Sequence, residues 1–314
     1  MVNKLALEGQ RIIVTGAGQG IGRAHALLLG ERGAKVVVND FSREAADAVV
    51  GQIRGKGGEA VASYDAVGSK ASGQAIVEVA MVAFRGLDAI INNAGFIRPG
   101  LFENLSEADI QAMMDVHLMG TLYITQTAWP IMQKQKYGRV VMTSSGAGMF
   151  SQGGVLNYST AKAGVFGLAK ACAYEGQDHN ILVNALLPMA TTTISKGIVI
   201  PGNAADWTKY RSAEVAEQIQ AKANTSPEMV AFMAAYLVSP ECDVTGETYS
   251  VCRGRYGRVF VGVADGWLTK KGETVTPEMI RDRLPEIRDI SHSTVPTWMF
   301  DEIMDVSRRL LAES

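Results

Sequence analysis

A chain of 314 residues, 47% hydrophobic and 20% charged, can bury one large core, and its formal charge of −2 leaves no basic surplus for nucleic acid. Cys172, Cys242 and Cys252 are odd in number and scattered without metal-ligand spacing, which argues against a disulfide framework and for a reducing compartment. His25, His117, His179 and His292 stand far apart with no carboxylate or cysteine cluster beside them, so no metal site is expected.

The opening stretch MVNKLALEGQRIIVTG has no long apolar segment, so neither a signal peptide nor a membrane anchor is expected, and a cytoplasmic protein follows. Short β-branched runs then recur: RIIVT at 11–15, KVVVN at 35–39, LDAIINN at 87–93, GRVVMTS at 138–144 and ILVNALL at 181–187. Their continuous apolarity predicts strands buried on both faces. Between them, segments of helical period occupy 21–33, 106–135 and 158–176. This alternation predicts an α/β fold built on a doubly wound, Rossmann-like parallel sheet, in which ligands bind beyond the carboxyl ends of the strands. From about residue 263 the pattern changes: TPEMIRDRLPEIRD is an interrupted polar stretch, and WMFDEIMDVSRRLL reads as one amphipathic helix. The expected organisation is therefore a core over 1–262 that includes the active site, with a partly helical extension over 263–314. Trp298, Phe300, Ile303 and Met304 lie on or near one face of the last helix, and such a face calls for burial on its own subunit or across a dimer interface. A homo-oligomer, dimer or tetramer, is expected.

The first run leads directly into TGAGQGIG at 15–22, which opens a helix. Gly16 permits the tight turn, Gly20 lets backbone amides approach an anion, and Gly22 allows close packing; the helix N-terminus then favours a pyrophosphate. Asp40, at the end of the second run, can accept hydrogen bonds from ribose hydroxyls and would repel a 2′-phosphate. Gln19 stands in the loop where a basic residue could have met that phosphate, and Arg43 is the one cation nearby. NAD is expected rather than NADP. Within NYSTAKAG, Tyr158 and Lys162 fall one helical turn apart on a common face, which would set an ammonium beside a phenol. Such pairs also arise by chance on helix surfaces.

Together these motifs resemble the short-chain dehydrogenase/reductase family, in consistent order from about Leu5 to Val263. The resemblance implies a cofactor loop at TGAGQGIG, Ile21 included, an adenine contact at Asp65, cofactor support from Asn93, Ala94 and Gly95 in NNAG, and a carboxamide contact from Pro188 and Thr193. It implies an active centre of Ser145, Tyr158 and Lys162, with Tyr158 and Lys162 also facing the cofactor. Ser144 would alternate to the other strand face and is expected to be structural. His117 occupies the position where most members carry asparagine and is included with the catalytic group; a packed helix histidine is the other reading. Met189 follows Pro188 where glycine is usual. Within the family, ERGAKVVVND, NNAGFIRPG, VHLMG and KQKYGRVVMTSSGAG are most similar to the dehydrogenase units of type 2 multifunctional enzymes of β-oxidation and to bacterial steroid-degrading dehydrogenases. That similarity implies oxidation of a 3-hydroxyacyl-CoA or a hydroxysteroid. The chain ends LAES, without an SKL-type peroxisomal signal. The stretch from Met189 to Ser226 lies where the family's substrate lid sits. It mixes Ile194, Ile198, Val199, Ile200 and Trp207 with Lys196, Lys209 and Arg211, which tips the expectation towards the thioester with its phosphorylated handle. A small-molecule substrate is the expected partner, with no nucleic acid and no membrane; a silent dinucleotide-binding regulator on the same fold is the competing class.

Overall fold

In the computed structural model of the protein, residues 5, 7–192, 224–270 and 272–312 are described. Seven runs form parallel strands: β1 (Arg11–Thr15), β2 (Lys35–Asn39), β3 (Glu59–Ser63), β4 (Ala89–Asn92), β5 (Gly138–Thr143), β6 (Ile181–Met189) and β7 (Thr248–Cys252). β8 (Arg255–Val259) joins the edge after the turn at Arg253 and Gly254, both at positive φ. The order is β3-β2-β1-β4-β5-β6-β7-β8. The order reverses between β1 and β4, so the crevice beyond their carboxyl ends is the place where a ligand fits.

Why the runs read as continuously apolar is visible in the two cores. Ile12, Val14, Val36, Val38 and Ile91 enter one cluster with Leu29 and Ala46 of the helices α1 (Gly20–Glu31) and α2 (Arg43–Gly55) and Val230 of α8 (Pro227–Leu237). Ile13, Val37 and Ile90, one residue out of step, enter the other, against Ile76 of α3 (Lys70–Phe84), Ile124 of α5 (Gly120–Gln135) and Val165 of α7 (Leu156–Gly176). Successive side chains thus feed opposite layers, and each layer is covered by helices.

The single helix expected over 106–135 is three pieces: α4 (Glu107–Met113), a π-helical segment Met114–Met119, and α5. The apolar period runs on through all three, so the pattern alone does not show the wider turn, which falls where His117 must reach the end of β4. Between α4 and α7 lies the short α6 (Gly146–Phe150), which Ser145 caps by accepting from Ala147 N at 3.1 Å.

The chain divides into two compact units, residues 1–258 and 259–314. In the second, β9 (Val263–Ala264) pairs antiparallel with β10 (Ser293–Thr294). The stretch read as interrupted is a helix, α9 (Pro277–Ile287): the Thr276 hydroxyl accepts from Met279 N, and Pro277 stands in the first turn where its missing N–H costs nothing. α10 (Met299–Ala312) is the expected final helix. Within that unit the Trp298 and Phe300 rings lie 4.8 Å apart, and Phe300, Ile303 and Met304 remain exposed. Among the described residues no helix is long and apolar enough to cross a membrane.

Candidate active site

The glycine loop between β1 and α1 is shaped by contacts that exclude side chains. Gly16 and Gly20 sit at φ 61 and 55, where a glycine is strongly favoured. A Cβ at Gly16 would come within 2.7 Å of Ala94 Cα, and one at Gly22 would run into the Gly16 carbonyl and Asn93 Nδ2. Thr15 ties this loop to the end of β4: its hydroxyl accepts from Asn93 N and Ala94 N, both at 3.0 Å, while Asn93 Nδ2 donates to Thr15 O. Asp40 closes the other side. Its carboxylate accepts from Gly18 N at 2.9 Å and Ser42 N at 3.0 Å, and it is buried. Gln19 stands at the N-cap position of α1 and is exposed, with Ile21 half-buried after it. Arg43 is exposed and lies 4.2 Å over the Tyr64 ring. Asp65 is exposed just beyond β3, its carbonyl held by Asn39 Nδ2 at 2.9 Å. The loop is a cradle of bare backbone at a helix N-terminus, flanked by a carboxylate, and its chemistry fits an adenine dinucleotide.

The second cluster sits beyond β4 and β5. Ser145 follows β5, and Tyr158 and Lys162 rise from the first turns of α7. Ser144, fully buried, donates to Lys162 O at 2.7 Å and so pins α7 to β5, which is the structural role the strand alternation implied. Asn157 fixes the start of α7: its amide donates to Arg98 O and Asp109 O and its carbonyl accepts from Tyr158 N at 2.8 Å. The His117 ring meets the Tyr158 ring edge-on, with centroids 5.1 Å apart, and packs so closely on Gly95 that no side chain fits there. The glycine loop, the Asn93–Gly95 turn, His117, Tyr158 and Ser145 thus form one chain of contacts.

The electrostatics depart from the simple picture of a lysine lowering a tyrosine. Burial raises the Tyr158 phenol above its ordinary value, and the hydrogen bond with Ser145 is what opposes that rise. Lys162 is buried and pulled down to about 7, and its ammonium donates to Thr143 O, 5.8 Å from the centroid of the Tyr158 ring. The helical spacing brings the two side chains to one face, but the lysine bends towards the sheet, so here Ser145 is the group that favours the phenolate.

Pro188, the penultimate residue of β6, is half-buried, and Met189, the last, is 54% exposed, its sulfur 3.5 Å from Cys252 Sγ. Thr193 lies outside the described residues, as do Ile194, Lys196, Ile198, Val199, Ile200, Trp207, Lys209 and Arg211 of the expected lid. Three contributors were not singled out by sequence reasoning: Thr15, Gly18 and Asn157. Gly18 had a signal in the doubled spacing of GAGQG, since a Cβ there would come within 2.8 Å of Asp40 Oδ2; Thr15 and Asn157 bond backbone, which no motif announces.

Residues 10–199 match the family model described as short chain dehydrogenase, and the chain belongs to that family. It is 36% identical over 306 residues to the mouse peroxisomal multifunctional enzyme type 2, spanning 94% of this chain and 39% of that enzyme. It is 37% identical over 298 residues to a putative short-chain type dehydrogenase/reductase of Mycobacterium tuberculosis, covering 92% of this chain and 97% of the relative. Among solved structures, a 7α-hydroxysteroid dehydrogenase complexed with NADH and 7-oxo glycochenodeoxycholic acid superposes with a TM-score of 0.71 at 27% identity, over 81% of this chain and 97% of that one. The chain spans less than half the length of the mouse and Drosophila melanogaster type 2 multifunctional enzymes. It is an oxidoreductase of the short-chain class, with a nicotinamide dinucleotide as the family's cofactor.

Proposed function

We propose that this protein oxidises a secondary alcohol to a ketone with NAD, and that the alcohol is a 3-hydroxyacyl-CoA. The observation that carries the reaction is the convergence of Ser145, Tyr158 and Lys162 beyond β5, joined to the glycine cradle through His117 and the Asn93–Gly95 turn. Gly16, Gln19, Gly20, Ile21 and Gly22 would hold the pyrophosphate, Asp40 the adenosine ribose, Asp65 the adenine, and Asn93, Ala94, Gly95, Pro188 and Thr193 the nicotinamide end. Bound there, the nicotinamide supplies the hydride acceptor. Tyr158 takes the hydroxyl proton at its phenol oxygen. Ser145, whose hydrogen bond already favours the phenolate, also holds the reacting oxygen. Lys162 would orient the ribose. Three free cysteines fit a reducing compartment, and we place the activity in the cytoplasm.

NAD is favoured because the Asp40 carboxylate, whose Oδ2 accepts from Gly18 N, sits against the glycine loop where a 2′-phosphate would be repelled, and because Arg43 is stacked on Tyr64. A large preference for NAD over NADP in kcat/KM is expected, narrowing by about tenfold or more in Asp40→Asn. Equal kcat/KM for the two cofactors in the unaltered protein would contradict the assignment. The thioester is favoured by the similarity to the multifunctional enzymes and by the cations of the lid sequence, which suit a phosphorylated handle. The hydroxysteroid dehydrogenase neighbour supports a free steroid as the second reading. Comparing kcat/KM for 3-hydroxyacyl-CoA esters and free hydroxysteroids at low and moderate salt decides between them. The esters should win, with the larger loss on adding salt. A steroid advantage, or no cost on removing the CoA handle, would transfer the assignment to the steroid.

A further inference from the structure

Arg43 is the first residue of α2, three positions after Asp40, and the turn that carries it is tied to the cradle at both ends. Asp40 Oδ1 accepts from Ser42 N at 3.0 Å, and the Ser42 hydroxyl accepts from Ala45 N at 3.3 Å. Ala45 in turn lies against the glycine loop, where a Cβ at Gly18 would come within 2.7 Å of the Ala45 methyl. The backbone of Arg43 therefore belongs to the wall of the cradle beside Asp40. Its side chain stands at the positive pole of the helix dipole, the wrong end for a cation, and among the described residues it forms no ion pair.

What holds the guanidinium is Tyr64, the residue after β3. The guanidinium lies 4.2 Å from the ring centroid, over its face. The phenol hydroxyl donates to Asp47 Oδ1 at 2.7 Å, and Asp47 stands one helical turn after Arg43 on α2. The ring also packs against the core cluster that includes Ala46, Val49 and Val50 of the same helix. Helix, ring and carboxylate thus close a loop of contacts around the arginine: the core fixes the body of the ring, Asp47 fixes its hydroxyl, and the charge of Asp47 attracts the guanidinium from one turn away.

We infer that Tyr64 is a specificity-determining residue for the dinucleotide: with Asp47 it holds the Arg43 guanidinium away from the adenosine ribose, so that a 2′-phosphate meets the Asp40 carboxylate with no cation to offset it. The inference rests on the proposed reading in which Asp40 takes that ribose, and it adds a second contribution to the choice of cofactor, since Asp40 repels the phosphate while Tyr64 withholds the attraction. A released arginine would bind phosphate through charge-assisted, two-pronged hydrogen bonds, whereas a cation resting on an exposed aromatic face is held weakly enough for one substitution to free it.

The test measures NADH and NADPH affinities of the full chain by fluorescence titration, which needs no turnover. Tyr64→Leu keeps apolar packing against the core and removes the aromatic face and the hydroxyl. In the Asp40→Asn background it should tighten NADPH by about fivefold and change NADH by less than about twofold. Adding Arg43→Gln should return NADPH to the Asp40→Asn value. With Tyr64 intact, Arg43→Gln should alter neither affinity by more than about twofold, because the cation is already withheld. Asp47→Asn leaves the ring in place and should give a smaller NADPH gain in the same direction, which keeps the test open if a thermal melt shows Tyr64→Leu to be unfolded. No gain in Tyr64→Leu, or a gain that survives Arg43→Gln, overturns the inference while leaving the NAD reading standing. A loss of NADH affinity in Arg43→Gln with Tyr64 intact overturns it as well, since the guanidinium would then already touch the cofactor. An unaltered protein that binds NADPH as tightly as NADH refutes the NAD reading itself, and the inference with it.

Discussion

Replacing Tyr158 with phenylalanine should lower turnover by about 10² to 10⁴, the range lost when a general acid–base group is removed, while the affinity for NADH changes less than about threefold. The phenol is the one proton carrier that the cluster offers at this point. His117 has its only ring proton committed to Phe96 O, and the Ser145 hydroxyl is ordinarily far too weak an acid to take its place. The dinucleotide cradle is built from Gly16 to Gly22, Asp40 and the Asn93–Gly95 turn, none of which depends on the phenol oxygen. Steady-state rates with a saturating alcohol, paired with NADH fluorescence titration, check both halves. A variant that keeps its rate removes Tyr158 from the reaction, and one that loses NADH binding along with its rate shows a structural part instead.

Acid should destabilise the protein well before its carboxylates are protonated. Burial holds His25 and His117 down to about 3, with the Lys162 charge adding to the effect at His117, whereas both titrate near 6.5 when unfolded. The folded pKa lies below the unfolded one, so the unfolded chain binds more protons between these values. Stability is full above pH 6.5 and is lost as pH falls from 6.5 towards 3. At pH 5 each histidine costs about 2 kcal/mol relative to pH 7.5, about 4 kcal/mol together, a large share of the margin of an ordinary domain. Neither ring nitrogen of His25 has a partner among the described residues, so His25→Leu should remove about half of this pH dependence without disturbing the site. Urea midpoints at pH 7.5 and pH 5 measure it. An unchanged difference in the variant would show that His25 is not a source.

The parts of the fold legible in the sequence are those where one physical signal dominates. β1, β2, β5 and β6 are legible because both faces are buried and apolar residues therefore follow one another without alternation, and the glycine loop is legible because a turn, a close approach and a helix start each demand glycine there. β3 reads EAVAS, with an exposed glutamate and small side chains near the sheet edge, and carries too little apolar area to stand out. α9 contains Pro285 and few apolar residues, so its start rests on the Thr276 cap and Pro277 rather than on period. In the candidate site, Ser145, Tyr158 and Lys162 stand out in the sequence by their order and spacing. The turn of the Lys162 ammonium towards Thr143 O is not legible there, since it depends on where β5 ends, and the wider helical turn that delivers His117 leaves the apolar period intact.

The most direct test of the dehydrogenase assignment is the appearance of the reduced-nicotinamide absorbance band when the purified protein is mixed with NAD and a panel of secondary alcohols that includes 3-hydroxyacyl-CoA esters and hydroxysteroids. A steady rise is expected with at least one member of the panel, with NAD far better than NADP, and no rise in Tyr158→Phe. A flat trace across the whole panel from protein that still binds NADH would contradict it and identify a dinucleotide-binding regulator built on the same fold.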